Sequence, residues 1–113
     1  MRWNITDMLV SPATGTAFAL ARTQQDKAVI VWYRGHYFLR PGNILVTDSK
    51  GIIIDGRMHE FKVIHTMPYF PTIWKTLKYS CSCPGNDNIS LRECDKQNEC
   101  LFPLCPYGIK LST

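Results

Sequence analysis

Between Thr16 and Tyr79 the chain is cut by turn residues every few positions, and this constrains its fold more than any other feature. Gln24-Gln25-Asp26, Arg34-Gly35, Pro41-Gly42, Asp48-Ser49-Lys50 and Asp55-Gly56 separate short apolar runs. This alternation predicts strands over 16–22, 27–33, 36–40, 43–47, 51–55, 59–65 and 73–79. Pro41-Gly42 suits a type II turn, in which the glycine takes a positive φ. Asp55-Gly56 is a tight hairpin signal. Arg34-Gly35 fits a turn with a glycine bulge, because arginine tolerates positive φ poorly. Links this short cannot house a parallel crossover, so neighbouring strands must run antiparallel. The expected fold is mainly β: a small antiparallel meander of six or seven strands closing towards a barrel, of SH3- or OB-like size.

Residues 3–10 are expected to form a short N-terminal helix. Asn4 is placed to cap it, Asp7 follows in its first turn, and Trp3 and Met8 have the spacing of a hydrophobic staple. Ile5, Met8 and Leu9 share a face at helical spacing. Ser11-Pro12-Ala13-Thr14-Gly15 ends the element. A length of 113 residues fits one structural unit. Its expected parts are a β-rich domain over 1–80 and a Cys-rich tail over 81–113 packed on it.

Strand parity sorts some faces. In 27–33, Val29 and Val31 lie on one side and Ala28, Ile30 and Trp32 on the other, as in a strand covered on both faces. In 36–40, Tyr37 and Leu39 oppose a more polar face of His36, Phe38 and Arg40. His59 and His65 share parity with Phe61 and Val63, which places them at the ends of a core-facing strand. Pro68 and Pro71 bracket Tyr69 and Phe70, marking a loop or sheet edge with aromatic side chains to present.

All five cysteines lie in the last third, as Cys81, Cys83, Cys94, Cys100 and Cys105. If the strand at 73–79 continued, Cys81 and Cys83 would point the same way. Thiolates so placed would suit a structural Zn2+, which takes four sulfurs or a sulfur and nitrogen mixture. His36, His59 or His65 could supply the nitrogen. The pattern lacks the C-x2-C knuckle of strong zinc sites. Disulfides are the alternative, with one thiol left over, and unlinked packing thiols a third. Iron–sulfur spacing does not match. Residues 84–99 are mostly polar and cannot order themselves by burial, so some clamp is expected. Leu101, Phe102, Leu104 and Tyr107 would dock the far end.

The net charge is +4. Residues 1–80 hold ten Lys/Arg against five Asp/Glu, whereas 81–113 hold three against four. Such a basic body permits an anionic partner. No segment could span a bilayer, and Asp7, Ser11 and Pro12 interrupt any signal peptide. The expectation is an intracellular protein with no membrane association. It becomes a secreted one if the cysteines form disulfides, and then Asn4-Ile5-Thr6 and Asn88-Ile89-Ser90 would matter as glycosylation sites.

No G-x-S-x-G, H-E-x-x-H or P-loop is present, which argues against an enzyme and leaves no small-molecule substrate to infer. The leading expectation is nucleic-acid binding through a basic, aromatic β face. Tyr33, Phe38, Tyr69 and Phe70 would stack on bases, and Arg34, Arg40, Arg57 and Lys62 would meet phosphates, beside His36. The alternative is a protein-binding or inhibitor module that uses the edge Met67-Pro68-Tyr69-Phe70-Pro71, since Tyr, Phe and Met are enriched at interface cores.

Overall fold

The structure, a computed structural model, describes residues 2–35, 38–48, 51–59, 61–81, 83, 86 and 100–102. Its strands are β1 (Arg2–Ser11), β2 (Thr16–Arg22), β3 (Ala28–Gly35), β4 (Ile44–Asp48), β5 (Gly51–Ile54), β6 (Arg57–Met58) and β7 (Phe61–Pro68). Helix α1 (Pro71–Ser80) follows. The strands form a seven-stranded sheet in the order β6-β5-β4-β1-β2-β3-β7. Every pairing is antiparallel. Two meanders, β1-β2-β3 and β4-β5-β6, are joined where β4 pairs with the start of β1. β7 returns to β3 and ends the sheet on that side.

The turns expected at Pro41-Gly42 and Asp55-Gly56 form, whereas Arg34-Gly35, expected as a turn, continues β3 and pairs with Lys62 and Phe61. Gly42 has φ +97°, and the Asn43 N–H closes the turn onto the Arg40 carbonyl at 3.0 Å. Asp55 and Gly56 both have positive φ, at 50° and 83°. That is the backbone of a two-residue hairpin whose twist matches its strands. The Asp55 carboxylate also accepts from the Ile44 N–H at 2.8 Å and from Asn43 Nδ2 at 2.6 Å, fixing the hairpin to the start of β4.

Three expected elements are corrected. Residues 3–10 are strand, not helix. The register of β1 against β2 slips between Ile5 and Asp7. Thr6 is the extra residue of a bulge, and its Oγ1 bonds the Leu20 carbonyl at 3.3 Å. A bulge shifts the alternation by one residue. Ile5 and Met8, three apart, therefore point into the same apolar layer, while Leu9 points to the opposite one. The spacing that imitates a helix is that of a bulged strand. Conversely, 73–79 is helix, not strand. Pro71 sits in its first turn, where the missing N–H costs nothing. Ile73, Trp74 and Leu77 supply the i, i+1, i+4 face. The strand expected at 36–40 is also absent over Phe38–Arg40; His36 and Tyr37 lie outside the described residues.

The sheet buries apolar side chains on both faces. One layer joins Ile5, Met8, Val10, Ala17, Ala19, Ala21, Val31, Tyr33, Leu39, Leu45, Ile54 and Phe102. The other lies under α1 and joins Leu9, Phe18, Leu20, Ile30 and Trp74 with Cys81. Residues of β3 alternate between the two, Val31 and Tyr33 inward and Ile30 towards α1, as the parity of that run requires. Three alanines of β2 fill the first layer, which lets larger residues approach from β1 and β3.

Tyr33 is fully buried. Its hydroxyl oxygen accepts from the Leu39 N–H at 2.8 Å, the contact that seats the chain after β3. Tyr33→Phe leaves that buried amide without this acceptor, at a cost of about 1–3 kcal/mol. The expected outcome is a melting temperature lower by about 5–15 °C. A thermal melt indistinguishable from the parent's would show that the hydroxyl does not hold this segment.

Candidate functional site

Among the described residues, β7 is an edge strand of eight residues. One side pairs with β3, and every second N–H and C=O of an edge strand faces away from its neighbour. Lys62, Val63, Ile64, His65 and Thr66 are all exposed. The register against β3 breaks between Trp32 and Tyr33, leaving Ile64 without an opposite residue. Val63 and Ile64 count among the exposed large apolar side chains. His65 is thus on an exposed edge, which corrects its expected core-facing place. His59 is half-buried in the link ahead of β7.

The chain leaves β7 at Pro68 and enters α1 through Tyr69 and Phe70. Tyr69 is fixed: its N–H donates to the Ala28 carbonyl at 3.1 Å, and the Arg22 guanidinium lies 5.2 Å above its ring. Phe70 is the residue preceding α1 and is 54% exposed. A rigid tyrosine thus stands beside an open phenylalanine. On α1, Tyr79 is 76% exposed, with Lys75 Nζ 6.0 Å from its ring centroid. A shallow groove of about 220 Å³ runs along Thr72, Ile73, Thr76 and Leu77. Val63, Ile64, Phe70 and Tyr79 are thus exposed along the stretch from β7 through α1, which also carries Lys62, Lys75 and Lys78.

The residues expected to form a nucleic-acid groove are brought together only in part. Arg34 and Lys62 are opposite one another on β3 and β7. Arg57 is on β6, at the other end of the strand order. Arg40 is exposed in the turn ahead of β4. Phe38 packs edge-on against the Phe102 ring, centroids 5.2 Å apart. Tyr33 is interior. His36 lies outside the described residues.

The cysteines also separate. Cys81 ends α1, its N–H donating to the Leu77 carbonyl at 2.9 Å. It is buried in the layer under α1, whereas Cys83 and Cys100 pack against the opposite layer. The shared side expected of Cys81 and Cys83 fails because the residues before them are helix. Among the described residues, no group of three or more His, Cys, Asp or Glu is placed to hold a metal ion. Cys94 and Cys105 lie outside the described residues. Burial pushes the Cys81 thiol above its ordinary value, and a hydrogen bond with the Ser11 side chain partly opposes this. The thiol form therefore stabilises the fold at all pH values below the ordinary thiol range, and the contribution is lost as pH climbs above about 9. Under native conditions near neutral pH, Cys81 is expected to alkylate no faster than the protein unfolds. Peptide-resolved labelling checks this, and a rate equal to that in urea would contradict the burial.

The tail meets the body at defined points. Asn86 is buried and bonds both the N–H and the carbonyl of Val10. The Leu101 N–H donates to the Pro12 carbonyl at 2.8 Å. Among the described residues, no helix is long and apolar enough to cross a membrane.

The chain is 37% identical over 113 residues to the anti-adapter protein IraM of Citrobacter koseri, an alignment covering 100% of this chain and 99% of that protein. It is 30% identical over 110 residues to the anti-adapter protein IraM of Escherichia coli K12, with 97% of this chain and 100% of the relative aligned. The crystal structure of Escherichia coli PmrD shares the fold, with a TM-score of 0.62 at 14% identity over 73% of this chain and 100% of that one. These relatives overturn the expectation of a nucleic-acid partner, because an anti-adapter is named for opposing another protein. They favour the alternative, a protein-binding inhibitor module. Residues 1–75 match the IraM/PmrD family, and the chain belongs to it.

Proposed function

We propose that this chain is a non-enzymatic, intracellular regulatory protein that binds an adapter protein and blocks it, as an anti-adapter. The surface we assign to that contact is the β7 edge with the aromatic flank Met67–Pro71. The observation that carries the reading is the exposure of Val63 and Ile64 on β7 and of Phe70 at its exit, next to the fixed Tyr69. Monomeric proteins rarely leave clustered apolar groups open unless a partner covers them. Truncating such anchors is expected to weaken binding strongly, while rim lysines contribute less.

Photo-crosslinking tests it. A benzophenone side chain is placed at Ile64 or Phe70, and as a control at Gln25, which is exposed in the turn between β2 and β3. In Escherichia coli, the first two positions are expected to capture one protein, and purified Escherichia coli IraM is expected to compete for it. Capture from Gln25 but not from Ile64 or Phe70 would move the contact elsewhere. Capture that the relative cannot displace would count against the shared anti-adapter role.

A further inference from the structure

We propose that β7 recognises its protein partner by strand addition, taking up an extended acidic segment along its open edge; this rests on the protein-binding reading above. The backbone supplies the first part of the argument. β7 ends the strand order and spans Phe61–Pro68, long enough to pair with an incoming strand. Addition of a strand to such an edge draws affinity from main-chain hydrogen bonds and specificity from alternate side chains.

Charge identifies the occupant. From Phe61 to Ser80 the sequence holds Lys62, Lys75 and Lys78 and no Asp or Glu. β3 likewise contains no acid, and its Arg34 stands directly opposite Lys62. Like charges facing one another across an antiparallel pair are destabilising, and an acidic residue on a third strand would relieve them. The same cations disfavour a second copy of this chain, since each β7 edge brings Lys62 and no acid of its own. Lysine and a bulge are common guards against self-pairing at sheet edges. Here Lys62 and the bulge at Ile64 guard the edge while leaving it open to a strand of opposite charge. Val63 and Ile64 then favour apolar residues between the partner's acids. The chemistry that fits is an extended segment alternating Asp or Glu with Val or Ile.

The probes are a capped peptide of alternating Glu and Val and its counterpart with Lys in place of Glu. Amide exchange and chemical shifts are followed by NMR on the full chain. The acidic peptide is expected to slow exchange within residues 61–68 and to bind about tenfold tighter than the basic one. The double variant Arg34→Glu with Lys62→Glu, both exposed positions, is expected to invert that order. Equal affinity for the two peptides, perturbation confined to residues outside β7, or no binding by either would overturn the proposal. Concentration-dependent protection of β7 without peptide would also overturn it, in favour of self-association. Strand addition and the anti-adapter reading fail separately. A competed crosslink from Phe70 with β7 amides still exchanging freely leaves the second standing and removes the first.

Discussion

Trp74→Ala is expected to destabilise the protein by about 3–5 kcal/mol, the usual range for deleting a buried aromatic. Trp74 is the buried residue of α1. Its ring fills the layer formed by Leu9, Phe18, Leu20 and Ile30. Its Nε1 donates to Asp7 Oδ2 at 3.2 Å, while Asp7 Oδ1 accepts from the Met8 N–H at 2.8 Å. One side chain therefore ties the helix to the bulged part of β1. A ten-residue helix is too short to persist on its own propensity, and its stability comes from that docking. The variant should lose protection from amide exchange across α1 before the sheet melts. Trp74→Phe keeps most of the ring and removes the donor, so about 1–2 kcal/mol is expected. Urea unfolding gives the totals, and residue-resolved exchange separates α1 from the sheet. A Trp74→Ala protein within about 1 kcal/mol of the parent would show that α1 is not held this way. Because Phe70 precedes α1 and Ile64 does not depend on it, Trp74→Ala should weaken crosslinking from Phe70 more than from Ile64.

Much of the sheet was legible because turn residues act locally. Pro41-Gly42 and Asp55-Gly56 need positive φ at named positions, and the chain has no cheaper way to provide it. The two errors of element type have one cause. Ile5 and Met8 have a spacing that suits either a helix or a bulged strand, and the choice depends on a register set by β2, which lies elsewhere in the sequence. Residues 73–79 are similarly ambiguous in spacing, and Pro71, suited to a helix start, is the local signal that favours the helix. The edge position of β7 depends on strand order, which no local pattern encodes. A run of Lys62, His65 and Thr66 among apolar residues was its trace. The flank Met67–Pro71 was readable because prolines cannot donate to a ladder. The nucleic-acid reading is overturned by the relatives, and charge and aromatic content do not reveal which side chains turn inward, as Phe38 and Tyr33 do.

Asn86→Ala is expected to lower stability by about 3–4 kcal/mol and the melting temperature by about 15 °C. β4 pairs with β1 only over Arg2–Asn4. Further along, the Asn86 amide occupies the place of a neighbouring strand. Its Oδ1 accepts from the Val10 N–H at 3.0 Å. Its Nδ2 donates to the Val10 carbonyl at 3.1 Å and to the Cys81 carbonyl at 3.0 Å. Val10 is fully buried, so water cannot easily replace these bonds. Alanine would leave three buried backbone groups without these partners, and an unmet buried group costs more than a made bond contributes. The polar composition around Asn86, read in the sequence as a segment unable to order itself, thus includes a side chain whose polarity is what attaches it. Asn86→Asp discriminates this account from a simple loss of packing. The shape is kept, but an ionised carboxylate would face two carbonyl oxygens and lack both donors. Protonation restores one donor and removes the charge. The deficit of Asn86→Asp relative to the parent should therefore be larger at about pH 8 than at about pH 4. Paired urea titrations at the two pH values measure it. A deficit independent of pH, or an Asn86→Ala variant as stable as the parent, would show that the amide does not join the tail to β1.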